Sequence, residues 1–388
     1  MKIGIVTYAL EIGGVESVML YLGKYFKNRG YSVDFIETYR KGNWSSYVSE
    51  TEGFNVKTIT IKWYQSWNQY FKLLKKELEN YDILLINDSL YAVFVVPALN
   101  LDKKVFTILH NDLESMIFNA TCCIESLDGV ICVNKDLYNK LILEKCIDRD
   151  KVFFVANGIE IDSNFQLKQK KYDNVLHLLY FGRLENNQKG ILYLPEIGQI
   201  LKEKNILFNL DIIGDGPDFD LLKEKIKNLK LENNIKLLGR KNHNELLTII
   251  SKYHIFLMPS KYEGHPIALL EAMAYGIVPI VTNVNNAIEQ TVKNGINGFL
   301  CDKQNVKKFS EKILFLHKNR NKLKDMSKEA YLTIKNNFSI EKMGEKYLQI
   351  FNKKNKVIRS KKMNIKINEN KYLPIIFNKI SRRIKRLF

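Results

Sequence analysis

The chain has 388 residues, of which 46% are hydrophobic and 26% are charged, a composition typical of a soluble folded protein. This length exceeds what one hydrophobic core usually organises, so we expect two domains. No run of 18 apolar residues occurs, and the residues after Met1 indicate a first strand rather than a signal peptide, so we expect a cytoplasmic protein. The five cysteines have no metal-ligand spacing and are expected to be reduced and structural.

The positive charge of the chain is concentrated at its C-terminus. Residues 353–388 hold thirteen Lys or Arg residues against the single acid Glu369, a local net charge of +12 out of a formal total of +18. The rest of the chain carries only +6. We therefore attribute the cationic character to a tail and not to the folded part of the protein.

Strands and helices alternate along the first half of the sequence. The predicted strands are residues 3–7, 31–36, 56–61, 83–86, 105–109, 129–133 and 152–155, and the predicted helices are 15–29, 64–79, 92–98, 112–120 and 135–145. This alternation indicates an open parallel sheet with helices on both faces, in which ligands bind beyond the carboxyl ends of the strands. Gly13 and Gly14 follow the first strand, either for close approach to a ligand or as a plain tight turn. His110 follows strand 105–109, either as a site residue or as a structural histidine.

The same alternation restarts after a polar stretch, residues 164–173, which is typical of a linker. The predicted strands are 176–181, 208–213, 235–238, 255–258, 280–282 and 298–301, and the predicted helices are 191–203, 219–230, 244–253, 306–317 and 320–336. The sequence thus predicts two α/β domains of similar size.

The stretch PSKYEGHPIALLEAMAYGIVP, residues 259–279, joins a buried strand to an apolar helix. The helix is expected to begin near Pro266, whose missing N–H costs nothing there, and to end at Gly276. Unpaired N–H groups at a helix N-terminus attract anions. Glu263 in the loop and Glu271 in the helix supply carboxylates that accept hydrogen bonds from sugar hydroxyls, so the stretch fits a nucleotide sugar.

Glu271 lies among apolar residues, and a buried carboxylate needs a partner. The alternative is therefore that Glu271 pairs with a buried Arg or Lys and that Glu263 is a solvated loop residue. Arg183 and Lys189 follow strand 176–181 and are expected near the anion site. Each either binds phosphate or pairs with Glu271, and the two roles are compatible.

The tail has two parts. Residues 353–371 are basic and without pattern, and we expect them to be flexible. Residues 373–388 space apolar side chains three and four apart, with a cationic face expected to bind an anionic membrane surface, formed by Lys379, Arg382, Arg383, Lys385 and Arg386. The alternatives are a helix packed on the protein and a disordered basic end. Nucleic acid is not expected as a partner because the tail lacks interleaved aromatic residues.

In this order, the motifs resemble the retaining, nucleotide-sugar-dependent glycosyltransferases with the GT-B fold, of the family 4 or glycosyl transferases group 1 type. The resemblance covers about residues 1–350, and residues 259–276 are its most specific part. Its other motifs are Gly13 and Gly14, His110, and residues 155–159, 182–184, 189–190, 214–217 and 297–300. It implies an α/β fold of two Rossmann-like domains facing across a cleft: an acceptor domain at 1–165, a donor domain at 166–336, a helix at 337–352 returning to the first domain, and the basic tail at 353–388.

The resemblance also implies roles for single residues. Glu271 would bind the ribose hydroxyls, while Glu263 and the backbone at His265, Pro266 and Ile267 would hold the donor sugar and its phosphates. Arg183 and Lys189 would neutralise the diphosphate as it leaves. Gly14 would approach the phosphate or the acceptor. His110 would form a hydrogen bond with a donor hydroxyl, and Arg240 would contact the base of the nucleotide. The implied catalytic residues are His110, Arg183, Lys189 and Glu263.

The resemblance and the sequence also predict how the sugar is transferred and whether a metal ion takes part. The resemblance implies transfer with retention, without a metal and without a cofactor other than the nucleotide-sugar substrate. Asp148 with Asp150 and Asp218 with Asp220 form Asp-x-Asp patterns, but neither follows a convincing strand, so we expect no metal site. Asn285 and Asn286 stand where the family usually has paired glycines, which predicts an altered loop near the donor.

We therefore expect a glycosyltransferase of bacterial surface or capsular polysaccharide assembly, peripheral on the inner face of the plasma membrane. It would move a sugar, expected from a UDP-sugar, to a lipid-linked or membrane-associated glycan acceptor. The alternatives are a nucleotide-sugar epimerase or phosphorylase of the same architecture, and a non-catalytic membrane-associated partner that binds nucleotide sugar.

Overall fold

The computed structural model describes residues 1–161, 165, 167, 174–241, 243–353 and 357–359. The predicted tail helix with Lys379, Arg382, Arg383, Lys385 and Arg386 lies outside these residues, as does most of the predicted linker. Contacts divide the chain into a first unit, Met1–Ala156 with the chain from Met343 onward, and a second unit, Asn157–Lys342. Within the described residues, no helix combines the length and the apolar character that crossing a membrane requires.

The first unit is built on a seven-stranded sheet. Its strands are β1 (Lys2–Thr7), β2 (Ser32–Glu37), β3 (Asn55–Thr58), β4 (Ile83–Asn87), β5 (Lys104–Leu109), β6 (Gly129–Cys132) and β7 (Val152–Phe154). All are parallel, in the order β3-β2-β1-β4-β5-β6-β7. Every residue of β4 is buried, because helices cover both faces of a parallel sheet.

Five helices connect these strands or follow them closely. They are α1 (Gly14–Asn28), α2 (Trp67–Leu78), α3 (Leu90–Val95), α4 (Glu114–Thr121) and α5 (Lys135–Leu143). Helix α2 begins with a capping box, in which the Ser66 hydroxyl accepts from the Gln69 N–H while the Gln69 side chain binds the Ser66 N–H. A short π-helical turn at Tyr47–Thr51 was not predicted from the sequence.

The second unit repeats this plan with six strands. They are β8 (Leu176–Phe181), β9 (Phe208–Ile213), β10 (Ile235–Leu237), β11 (Ile255–Met258), β12 (Val278–Thr282) and β13 (Phe299–Cys301), parallel in the order β10-β9-β8-β11-β12-β13. Its helices are α6 (Asn186–Lys189), α7 (Tyr193–Glu203), α8 (Phe219–Asn228), α9 (His243–Ile250), α10 (Ile267–Ala274), α11 (Asn286–Thr291), α12 (Val306–Lys318) and α13 (Arg320–Asn337). A last helix, α14 (Ile340–Phe351), runs into the first unit, where the Phe351 ring lies against Phe26 and Phe106.

Each sheet has one point at which the strand order reverses. In the first unit this point lies between β1 and β4, and in the second it lies between β8 and β11. Ligands of open α/β sheets bind beyond the carboxyl ends of the strands at such points. Two Rossmann-like units, as predicted, therefore supply two places at which to look for a site.

Other parts of the prediction also differ from the structure. Helices α6 and α11 were not predicted, since four and six residues are too few to show a helical period. Strand β3 ends at Thr58 and not at residue 61. Residues 353–371 were expected to be flexible, but the side chain of Arg359 is fully buried in the first unit.

Arg359 is held by four groups of the first unit. Its guanidinium pairs with Asp128 at 3.1 Å. It also donates hydrogen bonds to the carbonyl oxygens of Ser126, Asn100 and Lys103 at 3.1, 2.6 and 2.9 Å. The planar guanidinium with its five N–H donors suits this set of acceptors. We call these contacts the Arg359 anchor.

Candidate active site

The second-unit site lies on the loop between β11 and α10, residues 259–266, which we call the Glu263 loop. Strand β11 is buried throughout and stops before Pro259. Pro266 is the N-cap residue of α10, one position before the helix starts. After the helix, Gly276 has a φ of +62°, the left-handed conformation predicted for its C-terminal end.

The carboxylate of Glu263 is buried and paired. Its side chain is 5% exposed. Lys189 Nζ donates to the two carboxylate oxygens at 2.8 and 3.0 Å, and Ser260 Oγ donates to Oε1 at 2.7 Å. These bonds satisfy a charge that would be costly to bury alone. The alternative of a solvated Glu263 is therefore wrong, and Lys189 pairs with Glu263 instead of with Glu271.

Gly190 brings Lys189 to this position. It has a φ of +62° and ends the short helix α6. A Cβ atom at Gly190 would lie 2.2 Å from the carbonyl oxygen of Pro259, so only glycine permits the approach. The N–H of Lys261 donates to the carbonyl of Gln188 at 2.8 Å. The loop after β8 is thus attached to the Glu263 loop through the backbone.

Glycines also pack the carboxyl ends of β8, β9 and β10 closely together. Gly214 has a φ of +147°, and a Cβ atom there would lie 1.9 Å from the carbonyl oxygen of Gly182. The N–H of Gly214 donates to the carbonyl of Gly239 at 2.9 Å. Glycine therefore lets the loops that follow β8, β9 and β10 lie close together.

Arg183 and Arg240 stand directly after two of these glycines. The Arg183 side chain is 66% exposed, with Nε 3.3 Å from Glu185 Oε2. Arg240 is exposed as well. The structure thus places both predicted cations on the edge that carries the Glu263 loop, with their side chains in solvent.

Helix α10 is buried except along one stripe. Ala268 and Glu271, three residues apart and hence on one face, are partly exposed, while the other six residues of the helix are buried. The expectation that Glu271 is enclosed among apolar residues is therefore corrected. Glu271 is a half-buried residue on the one stripe of the helix that is not fully covered.

The His265 side chain is a structural element of the loop. The N–H of Asn157 donates to Nδ1 at 3.0 Å, so Nε2 carries the ring hydrogen, 3.2 Å from Thr291 Oγ1. Burial lowers the pKa of His265 to about 4, which keeps the ring neutral. Asn157 Nδ2 also donates to the His265 carbonyl at 3.1 Å. The His265 ring therefore holds the Glu263 loop in place. The contact with the donor that the resemblance implies for His265 is one of its backbone and not of its ring.

Asn285 fastens the same loop from another direction. Its Nδ2 donates to the carbonyl oxygens of Glu263 and Gly264 at 2.5 and 3.0 Å. Its Oδ1 accepts from the N–H of Ile288 at 3.1 Å and caps α11. Asn285, which stands where the family usually has a glycine, thus holds the Glu263 loop through its side-chain amide.

The first unit contains a cavity of about 280 Å³ at the carboxyl ends of β1, β4 and β5. We call it the first-unit cavity. His110 lines it, and His110 Nε2 is buried with no hydrogen-bond partner among the described residues. Burial lowers the pKa of His110 to about 4, so the ring is neutral at pH 7. The predicted His110 therefore faces a cavity at the switch point of the sheet.

Gly13 and Gly14 stand at the start of α1. Gly13 is the N-cap residue, and α1 begins at Gly14. A Cβ atom at Gly13 would lie 2.8 Å from Glu16 Oε2, so the carboxylate of Glu16 occupies the space that the glycine leaves. Burial, together with the nearby Glu11 and Asp88, raises the pKa of Glu16 to about 7.

Sequence reasoning missed Glu37, which shapes this part of the first unit. Glu37 is fully buried and accepts from the N–H groups of Leu10 and Gly42 at 2.9 and 2.6 Å. It also accepts from the hydroxyls of Ser45 and Thr58 at 2.7 and 2.5 Å. Glu37 thereby fixes the loop between β1 and α1. Its position at the carboxyl end of a strand could have indicated Glu37 from the sequence. Asn87 at the end of β4 and Asp88 directly after it could have been found in the same way.

The Asp-x-Asp pairs have local roles. Asp148 Oδ1 accepts from the N–H of Asp150 at 3.2 Å, and Asp218 Oδ2 accepts from the N–H of Asn186 at 2.6 Å. In the part of the chain that the structure describes, no group of three or more His, Cys, Asp or Glu side chains has a geometry that could hold a metal ion.

Two family models match the chain along most of its length. The model described as "Glycosyltransferase Family 4" matches residues 12–163, and the one described as "Glycosyl transferases group 1" matches residues 162–333. The chain therefore belongs to the glycosyltransferases of the group 1 type, which have the GT-B fold. The family and the fold inferred from the motifs are confirmed.

The chain is similar to two bacterial enzymes in sequence and to a solved structure in fold. The UDP-Gal:alpha-D-GlcNAc-diphosphoundecaprenol alpha-1,3-galactosyltransferase of Escherichia coli is 27% identical, covering 90% of this chain and 96% of the relative. The N-acetyl-alpha-D-glucosaminyl L-malate synthase of Bacillus anthracis is 23% identical, with the same coverage of 90% and 96%. The structure of Anabaena HepE with UDP-glucose has a TM-score of 0.74 at 17% identity, covering 90% of this chain and 98% of that one.

Proposed function

We propose that this glycosyltransferase moves a sugar from a UDP-sugar to a hydroxyl group of a lipid-linked glycan, with retention of configuration and without a metal ion. The proposal rests chiefly on the buried network of Lys189, Glu263 and Ser260 at the switch point of the second unit. A buried carboxylate held by a cation at the start of an apolar helix suits a sugar attached to a diphosphate.

In this proposal, the second unit holds the donor. Glu271, which is half-buried, accepts hydrogen bonds from the ribose hydroxyls through its carboxylate, and the N–H groups at the start of α10 bind phosphate oxygens. Glu263, Pro266 and Ile267 position the donor sugar, with the backbone N–H of His265. Arg240 meets the base from the same edge of the sheet.

The chemical step breaks the bond between the anomeric carbon and the diphosphate oxygen. Arg183 and Lys189 stabilise the charge that develops on the diphosphate as it leaves. The acceptor hydroxyl attacks the anomeric carbon from the face that the diphosphate leaves, and a departing phosphate oxygen takes the hydroxyl proton. Retention then needs no carboxylate nucleophile on the opposite face.

The acceptor belongs to the first unit. His110 and Gly14 stand at the carboxyl edge of the sheet, where the first-unit cavity opens. The E. coli relative uses UDP-galactose and a sugar linked to undecaprenol through a diphosphate. That name and the thirteen cationic residues of the tail support a lipid-linked acceptor at the inner face of a membrane, in surface polysaccharide synthesis.

A transfer assay tests this function. Each of a set of UDP-, GDP- and ADP-sugars is incubated with the protein and with undecaprenyl-diphosphate glycans, and the product is analysed by NMR and mass spectrometry. We expect transfer from a UDP-sugar only, an unchanged rate in EDTA, and a new linkage with the anomeric configuration of the donor. An inverted linkage would exclude the proposed step, and epimerised donor without transfer would instead indicate the epimerase alternative.

A further inference from the structure

A groove runs along the outer edge of the first unit's sheet. It lies between α5, the edge strand β7 and α14, and has a volume of about 510 Å³. We call it the α14 groove. Its inner wall is apolar, since Val152, Phe153 and Ile350 are buried and Phe154 is half-buried. The groove shares no lining residue with the first-unit cavity, so it is a separate feature of the unit.

Three lysines line the same groove. Lys135 begins α5, Lys346 lies in α14, and Lys353 follows α14. All three are exposed. Asp136 and Glu345, which are their neighbours in sequence, do not line the groove, and neither does any other acid of the described chain. The rim is therefore cationic without a carboxylate to balance it.

Two of these lysines lie on aromatic rings of the groove. Lys353 Nζ is 4.9 Å from the centre of the Phe153 ring, and Lys346 Nζ is 5.9 Å from the centre of the Phe154 ring. None of the three lysines forms an ion pair with a described residue. A ring face holds an ammonium group without accepting all of its three N–H donors. Donors are therefore available to an anion that enters the groove.

A cationic rim beside an apolar wall suits an anion that has an apolar part. A lipid with a phosphate head group has both, whereas inorganic phosphate would leave the apolar wall unused. Tyr138 lines the groove and is half-buried, and tyrosine is typical of the boundary between a membrane and water. The chain's own tail does not suit the groove, because residues 353–388 carry a net charge of +12 and would be repelled by its lysines.

We propose that the α14 groove binds the phosphate group of one anionic membrane lipid, with its three lysines as partners of the phosphate and Phe154 beside the start of an acyl chain. Lys353 is also the first residue of the basic stretch 353–388, and Lys104 Nζ donates to its carbonyl oxygen at 2.7 Å, which fixes the start of that stretch at the groove. The groove and the tail then bind the same surface. A site for a single lipid is weak alone, and the tail raises the local concentration of lipid that it meets.

Two triple variants of the full chain test whether the binding is local. The first removes the three lysines of the groove, and the second removes three exposed lysines of the second unit that form no ion pair with a described residue. Each lowers the formal net charge by three, from +18 to +15. The substitutions are Lys135→Gln, Lys346→Gln and Lys353→Gln in the groove variant, and Lys223→Gln, Lys227→Gln and Lys236→Gln in the control.

Sedimentation with vesicles of phosphatidylcholine and phosphatidylglycerol measures the affinity of both variants. We expect a loss of at least about tenfold for the groove variant and of no more than about twofold for the control. Both should melt within about 2 °C of wild type, because the lysines removed are exposed. Equal losses of affinity would show a general attraction between charges and would overturn the proposal.

A short-chain lipid tests the groove without a membrane. Ligand-detected NMR on the full chain compares dihexanoyl-phosphatidylglycerol, below its micelle concentration, with dihexanoyl-phosphatidylcholine and with inorganic phosphate. We expect the phosphatidylglycerol to bind at least tenfold more tightly than either of the others, because only it combines an uncompensated phosphate charge with acyl chains. Inorganic phosphate that binds as tightly would indicate a site for any small anion, and equal binding of the two lipids would indicate an apolar groove only. Either result would overturn the proposal.

Gln349 allows the charge of the rim to be changed in both directions. It is an exposed residue of α14 that lines the groove, and Glu, Lys and Gln have similar helix propensities. Gln349→Glu should weaken binding of the short-chain phosphatidylglycerol at least threefold, and Gln349→Lys should strengthen it. An affinity that neither substitution changes would place the lipid elsewhere.

Three other outcomes are distinguishable. Lysines beside an edge strand also prevent pairing between molecules, and that role alone predicts a groove variant that self-associates but binds the short-chain lipid like wild type, which would overturn the proposal. Failure of the tail would abolish vesicle binding while the short-chain lipid still binds, which would support the groove. Failure of the proposed transfer reaction would change neither measurement, since both are made without a nucleotide sugar.

Discussion

Lys189 Nζ lies 2.8 and 3.0 Å from the two carboxylate oxygens of Glu263, although 74 residues separate them in the sequence. The pair exists because β8 and β11 are neighbours in the sheet, so the loops that follow them meet at one edge. Gly190, with its close approach to Pro259, makes the meeting possible. One contact thereby links the sheet topology to the residues expected to hold the donor.

Lys189→Met removes the cation that pairs with Glu263, whose side chain is only 5% exposed. We expect a loss of about 2 kcal/mol in the free energy of unfolding, less than for a fully buried pair because Lys189 is 21% exposed. We also expect a fall in transfer rate of about 100-fold, the usual effect of losing a charge-stabilising group. Urea unfolding and steady-state kinetics measure the two effects separately.

The double variant Lys189→Met with Glu263→Gln is the control for that experiment. It should recover most of the lost stability, because the uncompensated charge is gone, but none of the activity. Recovery of activity in the double variant would show that the pair is structural only.

Asn285→Asp places a carboxylate opposite the carbonyl oxygens of Glu263 and Gly264, where the amide Nδ2 now donates. Repulsion should displace the Glu263 loop and raise the KM for the donor at least tenfold, with a smaller change in the KM for the acceptor. The measurement is steady-state kinetics with each substrate varied in turn.

Asn305→Asp provides a matched comparison. Asn305 caps α12 through a hydrogen bond from Lys308, as Asn285 caps α11, and aspartate is an equally good N-cap. This variant should have wild-type kinetics. If Asn285→Asp has the same KM for the donor as Asn305→Asp, the amide of Asn285 does not position the loop.

The sequence predicted most elements of the two sheets and the motif of the Glu263 loop, because apolar runs end at Gly, Pro or polar residues there. It did not predict which charges pair. The sequence allows Lys189 to pair with Glu271, and only the adjacency of β8 and β11 assigns it to Glu263. The cavity beside Asn87 and Glu16 depends in the same way on three strands that are distant in sequence. The Arg359 anchor lies in a basic stretch without periodicity, so no local pattern indicates it.

Glu16→Gln should change how stability depends on pH. The pKa of Glu16 is raised from 4.5 to about 7 in the folded protein, so between these values the folded state binds more protons than the unfolded state. Stability is therefore lost as pH rises through this window, and the full cost is present above about pH 7. The facing groups are Glu11, paired with Arg40, then Asp88 and the neutral His110.

We expect Glu16→Gln to be more stable than wild type at about pH 8, by on the order of 2 kcal/mol, and similar to it at about pH 4.5. Urea unfolding at the two pH values measures this difference. Glu114→Gln, at a surface carboxylate that pairs with lysines, should show no gain at either pH. A Glu16→Gln difference that is independent of pH would show that the carboxylate is ionised normally.

The proposed membrane function of the tail requires a truncation that spares the Arg359 anchor. Removing residues 361–388 deletes nine of the thirteen cationic residues and leaves Arg359 in place. We expect this variant to keep its melting temperature and to lose sedimentation with anionic vesicles, since each Lys or Arg near such a surface contributes about 1 kcal/mol. Neutral vesicles serve as the control.

Removing residues 353–388 takes away the anchor as well. Asp128 and three carbonyl groups then lose their guanidinium partner, so the melting temperature should fall. Equal stability of the two truncated forms would contradict the anchor, and vesicle binding that survives the shorter truncation would remove the tail from the proposed function.

The most direct test of the proposal is the binding of nucleotide sugars to the second unit, measured by thermal shift with UDP-, GDP- and ADP-sugars, with and without EDTA. We predict that a UDP-sugar raises the melting temperature to the same extent in EDTA, and that Glu271→Ala and Lys189→Met each reduce the shift. A wild-type protein that no nucleotide sugar stabilises, or a Glu271→Ala variant with an unchanged shift, would contradict the assignment of this loop and helix as the donor site.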